Sequence, residues 1–141
     1  MHTHTATIYD DGNQPFSVTT LSSVGKAVSG ILNNPAATAN KSLYVASFTP
    51  TQNDILAVLE NATGKKWEVE KITTADAMVQ GFEALGKGDM SGLVGVLMAS
   101  TCGPANGNNF TKNAVLSNDL LGLPKEDLNI VTRAILEGKD V

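Results

Sequence analysis

What most constrains this chain is a hydrophobic period that switches repeatedly between strand-like and helix-like, with no linker between the stretches. Residues 5–9 (TATIY) alternate, with Ala6 and Ile8 on one side and Thr5, Thr7 and Tyr9 on the other, and read as a short strand. Asp10, Asp11, Gly12 and Asn13 supply turn chemistry, and residues 16–19 can follow as a second extended piece. Leu21, Val24, Ala27, Val28, Ile31 and Leu32 then follow helical spacing, with a Ser or Thr as N-cap and Pro35 as the stop. Residues 42–48 (SLYVASF) form the most buried-looking strand.

The alternation continues. Thr51 to Asp54 forms a capping box with Asp where Glu or Gln is usual, ahead of a helix carrying Ile55, Leu56, Leu59 and Ala62 and closed by Gly64. Residues 67–72 alternate again, with Trp67 and Val69 on one face, and Thr73 or Thr74 caps a helix through Met78, Val79, Phe82 and Leu85. Residues 92–100 are apolar nearly all round, which predicts a helix that is buried or lines a cavity. A polar, glycine-rich stretch at 103–109 has the length of a functional loop or lid. Pro124 opens a last predicted helix over 125–136. Four short strands among about five helices is an α/β pattern.

Composition removes several function classes. The 141 residues, 42% hydrophobic, suffice for one domain with a core. A net charge of −4, with ten Lys and Arg residues scattered in ones and twos, argues against a nucleic-acid surface. Cys102 is the lone thiol, so no internal disulfide forms, and no apolar run reaches the ~18 residues of a membrane span. The expectation is a cytoplasmic protein. His2 and His4 are the only histidines, too few for a metal centre without carboxylates at a recognisable spacing. The nearest approach to a dinucleotide fingerprint is Gly86, Gly88 and Gly92. It has one residue too many and follows a helix where a buried strand is required, so it reads as a helix-to-helix turn. Asp10–Asp11 reads as a turn, and Glu126–Asp127 as the complement of a helix dipole.

Three runs carry a family resemblance: IYDDGNQPFSVTTLSSVGKAVSGILNNP, NKSLYVASFTPTQNDILAVLENATGKKWEVEKI and NDLLGLPKEDL. In unbroken order they closely resemble the C-terminal half of fungal NmrA-like and isoflavone-reductase-like proteins, atypical short-chain dehydrogenase/reductases. The resemblance implies that residues 1–141 form the C-terminal, substrate-binding portion of an NAD(P)-binding Rossmann-type fold. The family's N-terminal dinucleotide-binding half is then absent, and with it the glycine-rich phosphate turn and the reductases' catalytic lysine.

In that family the C-terminal half closes over the nicotinamide and holds the substrate. The resemblance therefore places a pocket wall in LMASTCGPANGNNF, with Met98, Cys102, Asn109 and Phe110 facing a small aromatic or other organic substrate. Each residue has a plainer role open to it: Met98 and Cys102 as core, Asn109 as a loop or backbone partner, Phe110 as a loop anchor. NADP(H) or NAD(H) is the cofactor implied for the full-length family, with no tight binding expected from this chain alone. No catalytic residue is assigned. The expected partners are the missing Rossmann half or, through exposed helix faces near Val28 and Leu97, further copies of the chain. Three functions stay open: the substrate-binding half of a reductase, a non-catalytic dinucleotide-sensing regulator, and an inactive fragment.

Overall fold

The computed structural model describes residues 4–104 and 108–141. They fall into two compact units, Met1–Phe16 with Thr51–Gly107, and Ser17–Pro50 with Asn108–Val141. Among the described residues the fold is α/β, with seven helices and one two-stranded parallel sheet.

The sheet belongs to the first unit. Strand β1 (Thr5–Tyr9) pairs with β2 (Glu68–Ile72) in the register Thr5↔Glu68 through Tyr9↔Ile72. Helix α3 (Gln52–Thr63) covers Ala6 and Ile8 with Ile55, Leu56 and Leu59. Its capping box is complete: Thr51 accepts from the Asp54 amide, and the Asp54 carboxylate accepts from the Thr51 amide at 2.9 Å. Gly64 ends the helix at φ 65°, the left-handed conformation that favours glycine. The cap also sets Gln52 against the free edge of β1. Its Oε1 accepts from the Tyr9 amide at 3.0 Å and its Nε2 donates to the Thr7 carbonyl at 3.3 Å, so one side chain stands in for a third strand.

Helices α4 (Thr74–Gly86) and α5 (Gly92–Cys102) form a hairpin through the expected turn, with Gly88 at φ 80°. They approach closely at Gly81 and Gly92. A Cβ on Gly81 would lie 2.6 Å from a Val96 methyl, and one on Gly92 would collide with the Gly81 carbonyl oxygen. Helix α5 is apolar nearly all round yet only partly covered, with Leu93, Val94 and Leu97 exposed.

In the second unit, α1 (Leu21–Asn33) is capped by Thr20, which accepts from the Ser23 amide. Pro35 does more than stop it: with Asn34 as N-cap it opens the short α2 (Pro35–Thr38). Ala27 packs with Leu121 and Leu123, and Ile31, Leu43 and Val45 lean on that cluster. Helix α6 (Phe110–Asn113) is a single turn.

Two of the four predicted strands do not form. Residues 16–19 and 42–48 contribute isolated bridges only, Val18 to Phe48 antiparallel and Tyr44 to Leu116 parallel. Side chains take the positions a ladder would use. Asn118 accepts from the Ala46 amide and donates to its carbonyl, Thr19 donates to the Val45 carbonyl, and the Ser47 hydroxyl accepts from the Thr20 amide. The run expected to be buried throughout is covered in part: Ala46 is buried, Leu43 and Val45 are partly buried, and Tyr44 is exposed.

The last helix, α7 (Leu128–Leu136), starts later than predicted because Asp127 caps it, accepting from the amides of Asn129 and Ile130. Glu126 serves a different helix. Its carboxylate accepts from the Thr20 hydroxyl at 3.1 Å and the Ser23 hydroxyl at 2.8 Å, at the N-terminus of α1. Burial acts to raise the Glu126 pKa, but the hydroxyls of Ser47, Ser23 and Thr20, with Lys26 nearby, outweigh it and hold the carboxyl below its usual 4.5.

Two predictions follow from this packing. Gly92→Ala should cost about 1–3 kcal/mol through the helix crossing. Gly95→Ala meets only the Ala77 carbonyl oxygen, at an ordinary 3.6 Å, and should be neutral or gain up to about 1 kcal/mol. Urea unfolding that ranks the two variants equally would remove the close-approach role. For Glu126, a lowered folded-state pKa means stabilisation present above the unfolded value and lost as pH falls through the folded one. Glu126→Gln should therefore lower stability at neutral pH, and its deficit should close as the pH is taken below 4.5. A deficit constant with pH would show that the charge contributes nothing.

Candidate functional site

The carboxyl ends of β1 and β2 gather most of the first unit's chemistry, as parallel strands do for ligand sites in open α/β sheets. Tyr9 closes β1, and Asp10 follows at φ 54°, left-handed without being glycine. That turn aims the Asp10 carboxylate at the N-terminus of α4, where Oδ1 accepts from the Thr74 amide and Oδ2 from the Thr74 hydroxyl, both at 2.9 Å. The Asp10 amide donates to the Ile72 carbonyl, so the turn is tied to both strands.

Cys102, at the end of α5, is 2% exposed. Burial first, and the Asp10 charge second, push its thiol pKa above 9.0; the thiol is therefore neutral at physiological pH and a poor nucleophile. Tyr9 is pushed above 10.0 by burial and then by Cys102.

Met98 sits one turn before Cys102 and lines an apolar pocket with Ala6, Ile8, Phe16, Leu56 and Leu59. The pocket is about 160 Å³, below the ~300 Å³ at which drug-sized ligand sites begin. Asn109 and Phe110 belong to the second unit. The Asn109 side chain caps α6 by accepting from the Lys112 amide at 3.1 Å. The Phe110 ring packs against Tyr44 with centroids 5.2 Å apart, and its amide donates to the Ser17 hydroxyl. The structure thus brings Met98 and Cys102 together on one helix, and Asn109 and Phe110 at the start of another. The lid expected over 103–109 includes residues 105–107, which lie outside the described residues.

Sequence reasoning missed Tyr9, Asp10 and Thr74. The signal present was the acidic turn directly after a strand. What could not be read was that its carboxylate reaches a helix 64 positions on.

A dinucleotide needs a glycine-rich turn from a strand into a helix whose N-terminal amides face a pyrophosphate. In this unit β2 runs into α4, but an Asp10 carboxylate already occupies that N-terminus. Gly12 after β1 serves packing, since a Cβ there would stand 2.7 Å from Ile8. The residues present do not fit a pyrophosphate cradle, and no step through a nicotinamide is derived from them. His2 lies outside the described residues. The His4 ring meets Trp67 edge-on at 5.6 Å, and among the described residues no group of three or more His, Cys, Asp and Glu side chains is placed to hold a metal. Nor is any helix among them long and apolar enough to cross a membrane.

In sequence the chain is similar to two fungal proteins. It is 32% identical over 133 residues to oxidoreductase aprR of Aspergillus flavus, covering 94% of this chain and 45% of that protein. It is 30% identical over 135 residues to oxidoreductase poxI of Penicillium oxalicum, covering 94% and 43%. The chain therefore spans somewhat under half the length of the curated relatives it matches. No protein-family model and no solved structure matches it.

The Cys102 environment sets an expected outcome. In the folded protein at pH 8, Cys102 should react with a disulfide reagent far more slowly than in urea, and Asp10→Asn should speed the native reaction by removing the charge that disfavours thiolate. Equal rates in native and unfolded protein would mean that the thiol is not enclosed.

Proposed function

We propose that this chain is the substrate-binding portion of an NAD(P)H-dependent oxidoreductase of the NmrA-like, isoflavone-reductase-like type, and that it is not catalytic by itself. The observation that carries the reading is the coverage: similarity to proteins named oxidoreductases runs over 94% of this chain and under half of theirs. The misfit of the α4 N-terminus to a pyrophosphate supports the same division of labour, with NADP(H) or NAD(H) held by the part of the protein that these residues do not supply.

Within this reading the Met98 pocket offers the apolar wall for an aromatic or other organic substrate, and Cys102, one turn further along α5, is a buried neutral thiol. In the second unit, Asn109 and Phe110 are proposed as substrate contacts on their own. Two helix surfaces are left for a partner. On α1, Leu21, Val24, Val28 and Leu32 are exposed, Val28 by 52%; on α5, Leu97 is exposed by 54%. Apolar faces of this kind mark interaction surfaces, and the proposed occupant of each is the nucleotide-binding half, with another copy of the chain taking its place when that half is missing. A cytoplasmic location for the whole protein is part of the same proposal.

Calorimetric titration of the purified chain with NADPH should give no dissociation constant in the micromolar range or tighter. Sedimentation should show self-association that Val28→Lys and Leu97→Glu reduce. Micromolar NADPH binding would overturn the proposed division of labour. A compact monomer with a sharp cooperative melt would remove the partner surfaces.

A further inference from the structure

The sheet face turned toward α4 and α5 is not filled. The register Thr7↔Glu70 and Tyr9↔Ile72 puts these four side chains on one face. The helices opposite present small residues to it, Ala77, Gly81 and Ala84 from α4 and Gly92 and Gly95 from α5. Interiors are ordinarily packed without voids, yet a groove of about 560 Å³ remains here, within the ~300–1,000 Å³ of small-molecule sites. Helix crossing explains Gly81 and Gly92. It does not explain Gly95, where a Cβ would meet only one carbonyl oxygen at 3.6 Å.

Tyr9 supplies an independent observation. The residue is 9% exposed and lines the groove, and its hydroxyl has no hydrogen-bond partner among the described residues. Among the described residues no side-chain oxygen or nitrogen is both sealed and unpartnered, so the hydroxyl keeps contact with solvent, and Tyr9 lines the groove. With its pKa raised by burial and then by Cys102, the phenol is a neutral donor at physiological pH. Glu70 lies diagonally across the strand pair from Tyr9, and Gln80 stands on the α4 side. A donor with acceptors beside it selects a ligand carrying an acceptor next to a donor, and with Glu70 and Lys71 both on the lining the groove has no net charge to select an ion.

We propose that the groove between the β1–β2 face and the α4–α5 hairpin binds a small, flat, uncharged amide, whose carbonyl oxygen accepts from the Tyr9 hydroxyl and whose N–H donates to Glu70. The groove lies within one unit and uses none of the four residues assigned to the substrate above, so it stands or falls separately from the oxidoreductase reading.

The probe is 2-quinolone, a bicyclic lactam, tested on the full chain by saturation-transfer NMR and equilibrium dialysis. Saturable binding is expected, weakened roughly fivefold by Tyr9→Phe, the worth of one neutral hydrogen bond. N-methyl-2-quinolone, which lacks the N–H, should bind the unaltered chain more weakly. Gly95→Leu should fill the groove and abolish binding. Tyr9→Phe alters one oxygen and keeps the test decisive if Gly95→Leu fails to fold. No saturable binding, or binding unchanged by Tyr9→Phe as expected of adsorption to the exposed helix faces, would overturn the proposal.

Discussion

The first turn of α3 holds the first unit together. Three consecutive residues each secure a different part of it: Thr51 caps the helix, Gln52 pairs the outer edge of β1, and Asn53 fastens the turn beyond β1. The Asn53 side chain donates to the Asp11 carbonyl at 2.9 Å and to the Asn13 side chain at 2.7 Å, while its amide donates to the Gly12 carbonyl. A two-stranded sheet alone is marginal in water, and a bare edge invites pairing with another chain. Gln52 removes that edge where the strand most needs it. The same clamp holds Asp10 in its left-handed turn, from which the carboxylate reaches α4. Helix cap, strand edge and polar cluster are thus one connected set of hydrogen bonds.

The local part of this arrangement could be read from sequence. The Thr51–Asp54 box, the Gly64 stop, the Thr73 cap and the 86–92 turn depend on residues three or four apart, and each stands where the spacing put it. So does the strand over 5–9. What could not be read are the bonds that span the chain: Gln52 to Tyr9 across 43 positions, Asn118 to Ala46 across 72, Glu126 to Thr20 across 106. Polar residues of these types are usually exposed. Nothing in a single sequence distinguishes an Asn that completes a backbone pair from one that faces water.

The two missing strands have the same origin. An apolar run such as SLYVASF signals a strand buried on both faces, yet only Ala46 of its four central residues is fully buried and Tyr44 is exposed. A strand also needs a neighbouring backbone in register, and here Asn118, Ser47 and Thr19 satisfy the polar groups instead. The surroundings of the candidate site were hidden for a related reason. Met98 and Cys102 came from the resemblance of LMASTCGPANGNNF to a family's pocket wall, whereas Asp10 and Tyr9 acquire their surroundings only through the turn that the α3 clamp fixes.

Helix α1 shows how far a period can be pressed. The pattern Leu21, Val24, Ala27, Val28, Ile31, Leu32 reads as one face seeking cover, yet the helix turns Ser23 and Ala27 inward and leaves Leu21, Val24, Val28 and Leu32 outside. The inward side meets Glu126, whose carboxylate accepts from the hydroxyls of Thr20 and Ser23. The carboxylate is itself only partly buried, and its hydroxyl partners lie on the side of the helix that also carries Ala27 into the Leu121 and Leu123 cluster. Polar bonding and a small apolar contact thus share one side of the helix. The apolar stripe is left as unspent stabilisation, available to whatever surface covers it. Measured against the ~5–15 kcal/mol that holds an ordinary domain folded, four uncovered aliphatic residues on one helix are a large reserve.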